Sequence, residues 1–124
     1  MNAKTFNEKN FDVGDYLFKE GDEGEEAYLI KSGQIKISRQ VGENDQRTIA
    51  TIGKGDIIGE MALIDGKPRA ATAICIEPVT VVVVTGELLQ QRLAKTDPVV
   101  MQLLNTFTKR LREQADIIAT YKNY

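Results

Sequence analysis

The stretch "GEMALIDGKPRAATA", residues 59–73, decides how the rest of the chain is read. It sets a carboxylate at Glu60 and a guanidinium at Arg69, nine residues apart, with small residues and two turn formers between them. Gly59 follows the apolar "DII" (56–58), and "EMALI" (60–64) has helix formers for about one turn. A strand feeding a helix through glycine leaves the first backbone N–H groups of that turn without intrahelical partners, and such amides attract anions. Asp65-Gly66 supplies a turn, and Pro68 keeps Lys67 extended, so the chain can fold back and bring Arg69 to the same space. Arginine offers a planar fork that suits two phosphate oxygens, which lysine cannot copy. Ala62, Ala70 and Ala71 carry nothing that blocks a close approach. The pieces describe an anion pocket with a carboxylate acceptor beside it. Glu60 repels a phosphate, so its natural partner is a hydroxyl donor next to one, such as a sugar OH. The bland alternative is a surface ion pair between Glu60 and Arg69 across a tight loop, worth about 0–1 kcal/mol.

Outside this stretch, residues 15–85 read as short strands separated by turns. "DYLFK" (15–19), "AYLIKS" (27–32), "QIKIS" (34–38), "RTIATI" (47–52), "ATAICI" (71–76) and "VTVVVVT" (79–85) are the candidates. "EGDEGEE" (20–26), "VGENDQ" (41–46) and "GKGD" (53–56) are the turns and links. Spacing of roughly 8–12 residues indicates an antiparallel sandwich or barrel rather than alternating β-α units. After Thr85 the pattern changes: "GELLQQRLAK" (86–95) reads as a short helix. Asp97 then caps a helix with Pro98 at its first position, where the missing N–H costs nothing. Val100, Leu104, Phe107, Leu111, Ala115 and Ile118 recur at three- and four-residue spacing over residues 97–120. Such a helix is about 36 Å long. Its narrow apolar stripe fits either packing on the chain's own strands or a seam with a second helix.

With 124 residues, 42% hydrophobic and 27% charged, the chain is expected to form one globular domain, 1–124, with strands over about 11–85 and helices over about 86–120. A net charge of -2 and the lack of a Lys/Arg block argue against direct nucleic-acid binding. The lone Cys75 gives no internal disulfide and no metal cluster. No signal-peptide pattern opens the chain and no apolar run approaches 18 residues, so a cytoplasmic location without membrane contact is expected. There is no histidine, which removes a His-rich metal centre and a Ser-His-Asp triad and weighs against an enzyme. No metal and no catalytic residue is expected.

"GEMALIDGKPRAAT" (59–72) resembles the phosphate-binding cassette of the cyclic nucleotide-binding domain family. The resemblance extends through "FKEGDEGEEAYLIKSGQIKIS" (18–38), "IGKGDIIGE" (52–60) and the closing helices, roughly residues 11–115. It implies a mainly β fold with α: an eight-stranded antiparallel β-roll, close to a jelly roll, then a short helix and a long C-terminal helix. By the same resemblance Glu60 accepts the ribose 2′-OH and Arg69 clamps the cyclic phosphate. The amides of Gly59, Ala62 and Ala70 help hold phosphate or ribose, with Met61 in the same turn, and Ile37 and Ile58 wall the base. Ala70 directly after the arginine leans toward cyclic AMP rather than cyclic GMP. Arg112 and Tyr121 are within reach of the base as covers, although the plainer reading of each is a solvated helix residue. The family has a longer helical segment before the first strand than the ten or so residues ahead of "FDVGD". The implied function is a sensor that passes ligand binding to an effector protein or domain, or to a second copy through the last helix. The alternative is an interaction module of the same fold that no longer binds nucleotide. Met1 fits a complete small protein as well as the sensor piece of a larger one.

Overall fold

Strands form here where β-branched and aromatic residues can cover a shared core, and the turns between them fall at glycines. The computed structural model describes residues 7–93, 95 and 97–121. Its strands are β1 (Asn7–Phe11), β2 (Tyr16–Phe18), β3 (Glu26–Ser32), β4 (Ile35–Gln40), β5 (Gln46–Ile52), β6 (Ile57–Ile58), β7 (Thr72–Cys75) and β8 (Val79–Thr85). Helix α1 (Glu60–Asp65) lies between β6 and β7, and α2 (Gly86–Leu93) and α3 (Pro98–Tyr121) follow β8. The strands pair antiparallel in two four-stranded sheets, ordered β1-β8-β3-β6 and β2-β7-β4-β5. This is the mainly β roll with trailing helices that the resemblance implies. Gly33 makes the β3–β4 turn with φ +90, and a Cβ there would overlap the Pro78 carbonyl, so no other residue fits without rearrangement.

The core lies between the sheets. It gathers Tyr28 and Ile30 from β3, Ile35 from β4, Ala73 and Cys75 from β7, and Val79, Val81 and Val83 from β8, with Ile58 at one end. The valine run of β8 therefore splits: Val79, Val81 and Val83 are buried while Val82 and Val84 are half-buried on the outer face. Each fully buried aliphatic side chain contributes about 1.5–3 kcal/mol.

Two elements differ from the sequence reading. β1 begins at Asn7, ahead of the expected start of the roll near residue 11. "NEKNF" has no hydrophobic alternation; it is a strand because it pairs along β8, Asn7 opposite Val83 through Phe11 opposite Val79. In α3 the Asp97 cap is present, its Oδ1 accepting from the Val99 N–H at 2.9 Å. The single apolar stripe, however, becomes two. Met101, Leu104, Thr108 and Arg112 lie on the less exposed side, with Thr108 buried and its hydroxyl donating to the Leu104 carbonyl at 2.8 Å. Val99, Val100, Leu103, Phe107 and Leu111 are exposed. The side chains of Ala115 and Ile118 lie outside the described residues.

Ile35, 0% exposed, should be the most costly kind of position to truncate. Ile35→Ala is expected to lose about 2–5 kcal/mol in urea unfolding, and Val82→Thr on the outer face less than about 1 kcal/mol.

Candidate functional site

The site is built where α1 interrupts the strand run. Gly59 takes φ +84 at the N-cap of α1, a left-handed conformation that lets β6 turn abruptly into the helix. Gly66 closes the helix with φ 68 and donates its N–H to the Ala62 carbonyl at 3.0 Å. Asp65 then accepts from the Lys67 N–H at 3.0 Å, and the chain runs back through Pro68 to Arg69. The Arg69 backbone is fixed against the acidic turn before β3: its N–H donates to the Asp22 carbonyl at 2.8 Å, and its carbonyl accepts from the Gly21 N–H at 2.9 Å.

Arg69 is 5% exposed, so the surface ion-pair reading does not hold. Its Nη1 donates to the Gly59 carbonyl at 3.0 Å and its Nη2 to the Glu26 carbonyl at 2.7 Å. No ion pair joins Arg69 to Glu60 among the described residues. The guanidinium packs on the Phe18 ring, Cζ 4.3 Å from the centroid. Gly24 closes a second side, and a Cβ at Gly24 would overlap Nε, Cζ and Nη2 together. Burial pulls the Arg69 pKa below its ordinary value, with Tyr28, Glu26 and Asp22 acting against that pull. The Tyr28 hydroxyl donates to a Glu26 carboxylate oxygen at 2.9 Å, and burial first, then that hydrogen bond, pushes its pKa up to about 12.

A cavity of about 200 Å³ opens over this arrangement. Gly59, Glu60, Met61, Ala62, Arg69 and Ala70 all line it, so the structure brings every residue of the expected set together. Ile37 and Ile58 line the same cavity and form its apolar wall with Ile52 and Ile57. Arg112 reaches the same cavity from α3 but is tied elsewhere. It forms a two-point pair with Asp65, Nε to Oδ2 at 2.5 Å and Nη2 to Oδ1 at 3.0 Å, and also donates to the Pro68 carbonyl at 3.4 Å. Burial pushes the Asp65 carboxyl up, but the hydrogen bonds from Arg112 and the Lys67 N–H outweigh it, and the pKa ends below the ordinary carboxylate value. Arg39 adds a second tie to α3 through Asp116. The Tyr121 side chain, the other candidate cover, lies outside the described residues.

Phe18, Gly24 and Glu26 were not legible as site residues. They sit 43 or more residues from Arg69, in a strand and an acidic turn that read as a link. The paired glycines of "EGDEGEE" are the one signal, since Gly24 is required by the close approach of the guanidinium. A larger groove, about 1000 Å³, lies beside α1 and α2 and carries Glu23, Glu25, Glu26 and Glu87. Four carboxylates there repel an anion, so the smaller cavity with the arginine is the better anion site. Among the described residues no group of three or more His, Cys, Asp or Glu is placed to hold a metal. No helix among them is long and apolar enough to cross a membrane.

Two antiparallel sheets closed over one core, with a helix-loop inserted beside a buried arginine, define the β-roll class of ligand-binding modules. The chain belongs to the cyclic nucleotide-binding domain family, whose profile matches residues 8–96. It is 31% identical over 122 residues to a CRP-like cAMP-activated global transcriptional regulator of Mycobacterium tuberculosis, covering 95% of this chain and 54% of that protein. It is 30% identical over 108 residues to the cyclic AMP receptor protein of Thermus thermophilus, covering 87% of this chain and 50% of the relative. The chain thus spans about half the length of these relatives. The EAL enzyme Bd1971 in its cAMP-bound form superposes with a TM-score of 0.83 at 32% identity, over 92% of this chain and 30% of that one. Its cGMP-bound form gives 0.77 at 33%, over 86% and 28%. Relatives of this domain therefore include both regulators and an enzyme that carries it.

Gly24→Ala should drive the guanidinium from its seat. The expected result is a loss of about 1–3 kcal/mol in unfolding free energy, as for other overpacked sites, with shifted NMR resonances of Arg69 and Phe18.

Proposed function

We propose that this chain is the cyclic nucleotide sensor of a regulatory system, with no catalytic turnover of its own and with cyclic AMP favoured over cyclic GMP. The observation that carries this reading is the convergence of Gly59, Glu60, Met61, Ala62, Arg69 and Ala70 on one cavity with an isoleucine wall. Arg69 clamps the cyclic phosphate with its planar fork, and the backbone amides of Gly59, Ala62 and Ala70 assist. Glu60 accepts the ribose 2′-OH, and Ile37 and Ile58 flank the base. Ala70 offers no hydroxyl to a guanine, which removes a reason to prefer cyclic GMP. The lone Cys75, buried and unpaired, suits a reducing cytoplasm.

The mechanism is a population shift. A ligand moves an equilibrium only by its differential affinity for the two arrangements. The phosphate competes with the Gly59 and Glu26 carbonyls for the Arg69 donors. The cavity of about 200 Å³ is also below the usual range of about 300–1,000 Å³ for small-molecule sites, so seating a nucleotide spreads α1 from α3. The Arg112–Asp65 pair spans that gap and carries the displacement into α3. The exposed side of α3, Val99, Val100, Leu103, Phe107 and Leu111, is the surface that receives a second copy, and an effector protein or adjoining domain reads the result.

Isothermal titration of refolded, nucleotide-stripped protein should show binding of cyclic AMP, tighter than cyclic GMP. Arg69→Lys should weaken it at least about tenfold, because the bidentate fork is lost. No heat with either nucleotide would leave the chain as an interaction module of the same fold. Light scattering should give a dimer mass that Phe107→Asp returns to the monomer. A monomer mass with and without nucleotide removes the α3 seam.

A further inference from the structure

Phe18 holds no role in the reading above, yet it touches the group on which the pocket depends. Its ring centroid lies 4.3 Å from Arg69 Cζ. The ring is not free to move: it stacks on Tyr28 with centroids 6.3 Å apart at 23°. Tyr28 is itself held by the Glu26 carboxylate at 2.9 Å and by Phe11, edge-on at 6.4 Å. Gly24 presses on the guanidinium from a second side, and two carbonyls take Nη1 and Nη2. Nε is buried with no hydrogen-bond partner. The plane of the fork is therefore set by neighbours on several sides, while these two carbonyls take only two of its five N–H donors. A fork whose plane is already set loses less rotational freedom when it grips two oxygens of a phosphate. A leucine at position 18 would fill similar space but present no aromatic face to the cation.

We propose that Phe18 is a positioning residue for Arg69: its ring, braced by Tyr28, fixes the guanidinium plane in which a phosphate is received. The consequence for affinity rests on the phosphate-binding reading of Arg69; the geometry does not.

The test uses the full chain with and without cyclic AMP. In the protein alone, the Arg69 Nε–H proton should resonate upfield from the ring current and exchange slowly with solvent. Phe18→Leu should abolish that upfield shift and weaken cyclic AMP about tenfold, while Phe18→Tyr keeps the shift and binds within about twofold of the unaltered protein. An unshifted Nε–H in the unaltered protein overturns the proposal, even if Phe18→Leu fails to fold. So does a folded Phe18→Leu that binds as tightly as the unaltered chain. Equal losses in Phe18→Leu and Phe18→Tyr would also overturn it, because the aromatic face would then be irrelevant. If the unaltered chain binds no cyclic nucleotide, the sensor reading falls and Phe18's part in affinity falls with it. The Arg69 resonance then separately decides whether the ring orients the arginine.

Discussion

A guanidinium withdrawn from water is the constraint around which this protein is arranged. Removing a cation of that size from solvent costs several kcal/mol after relaxation, and the surroundings must offset it. Arg69 is 5% exposed and receives two backbone carbonyls, from Gly59 and Glu26, and the face of Phe18. Hydrogen bonds involving a charged group contribute about 1.5–3 kcal/mol each, and a desolvated cation–π contact about 2 kcal/mol. No carboxylate pairs directly with the guanidinium among the described residues: two carbonyl dipoles hold it, and the Glu26 and Asp22 charges act on it from farther away. The arginine thus stands beside the start of α1 with no carboxylate paired to it among the described residues, a setting that favours an anionic ligand.

The same constraint explains the glycines around the site. Gly24 lets the turn before β3 close on the arginine, and Gly59, at φ +84, keeps a carbonyl pointing at Nη1 while α1 begins. α1 ends at Asp65, whose carboxylate holds Arg112 of α3 in a two-point pair. From arginine to cassette helix to C-terminal helix the contacts are continuous, and each link is a polar interaction with defined geometry. A domain meant only to be stable has no need of such a chain, since an apolar packing of similar volume would serve as well or better. The exposed apolar side of α3, with Phe107 at its centre, stands at the far end of this series.

Much of the fold was legible because its signals are local. Turn residues, the Asp97-Pro98 helix start and the alternation in "QIKIS" depend on neighbours within a few positions. β1 was not, since "NEKNF" becomes a strand through its register on β8 rather than through its own pattern. The valine run of β8 hides which residues face inward, because a uniform apolar stretch has no period to read. In α3, residues 100, 104, 107 and 111 look like one stripe on paper. Only the roll's surface decides that Leu104 turns toward it with Thr108 and Arg112 while Phe107 and Leu111 turn away.

The sequence by itself determined the cassette, because Gly59, Glu60, Pro68 and Arg69 lie within eleven residues and their chemistry is set by type and short spacing. Tertiary structure alone decided what surrounds the arginine. Glu26 and Phe18 are 43 and 51 positions away, and Arg112 meets Asp65 across 47. Those contacts arise from how two sheets and a helix close over a core, which no spacing along the chain encodes. The residue types of the cassette are thus written locally, while the orientation of its arginine is written in the fold.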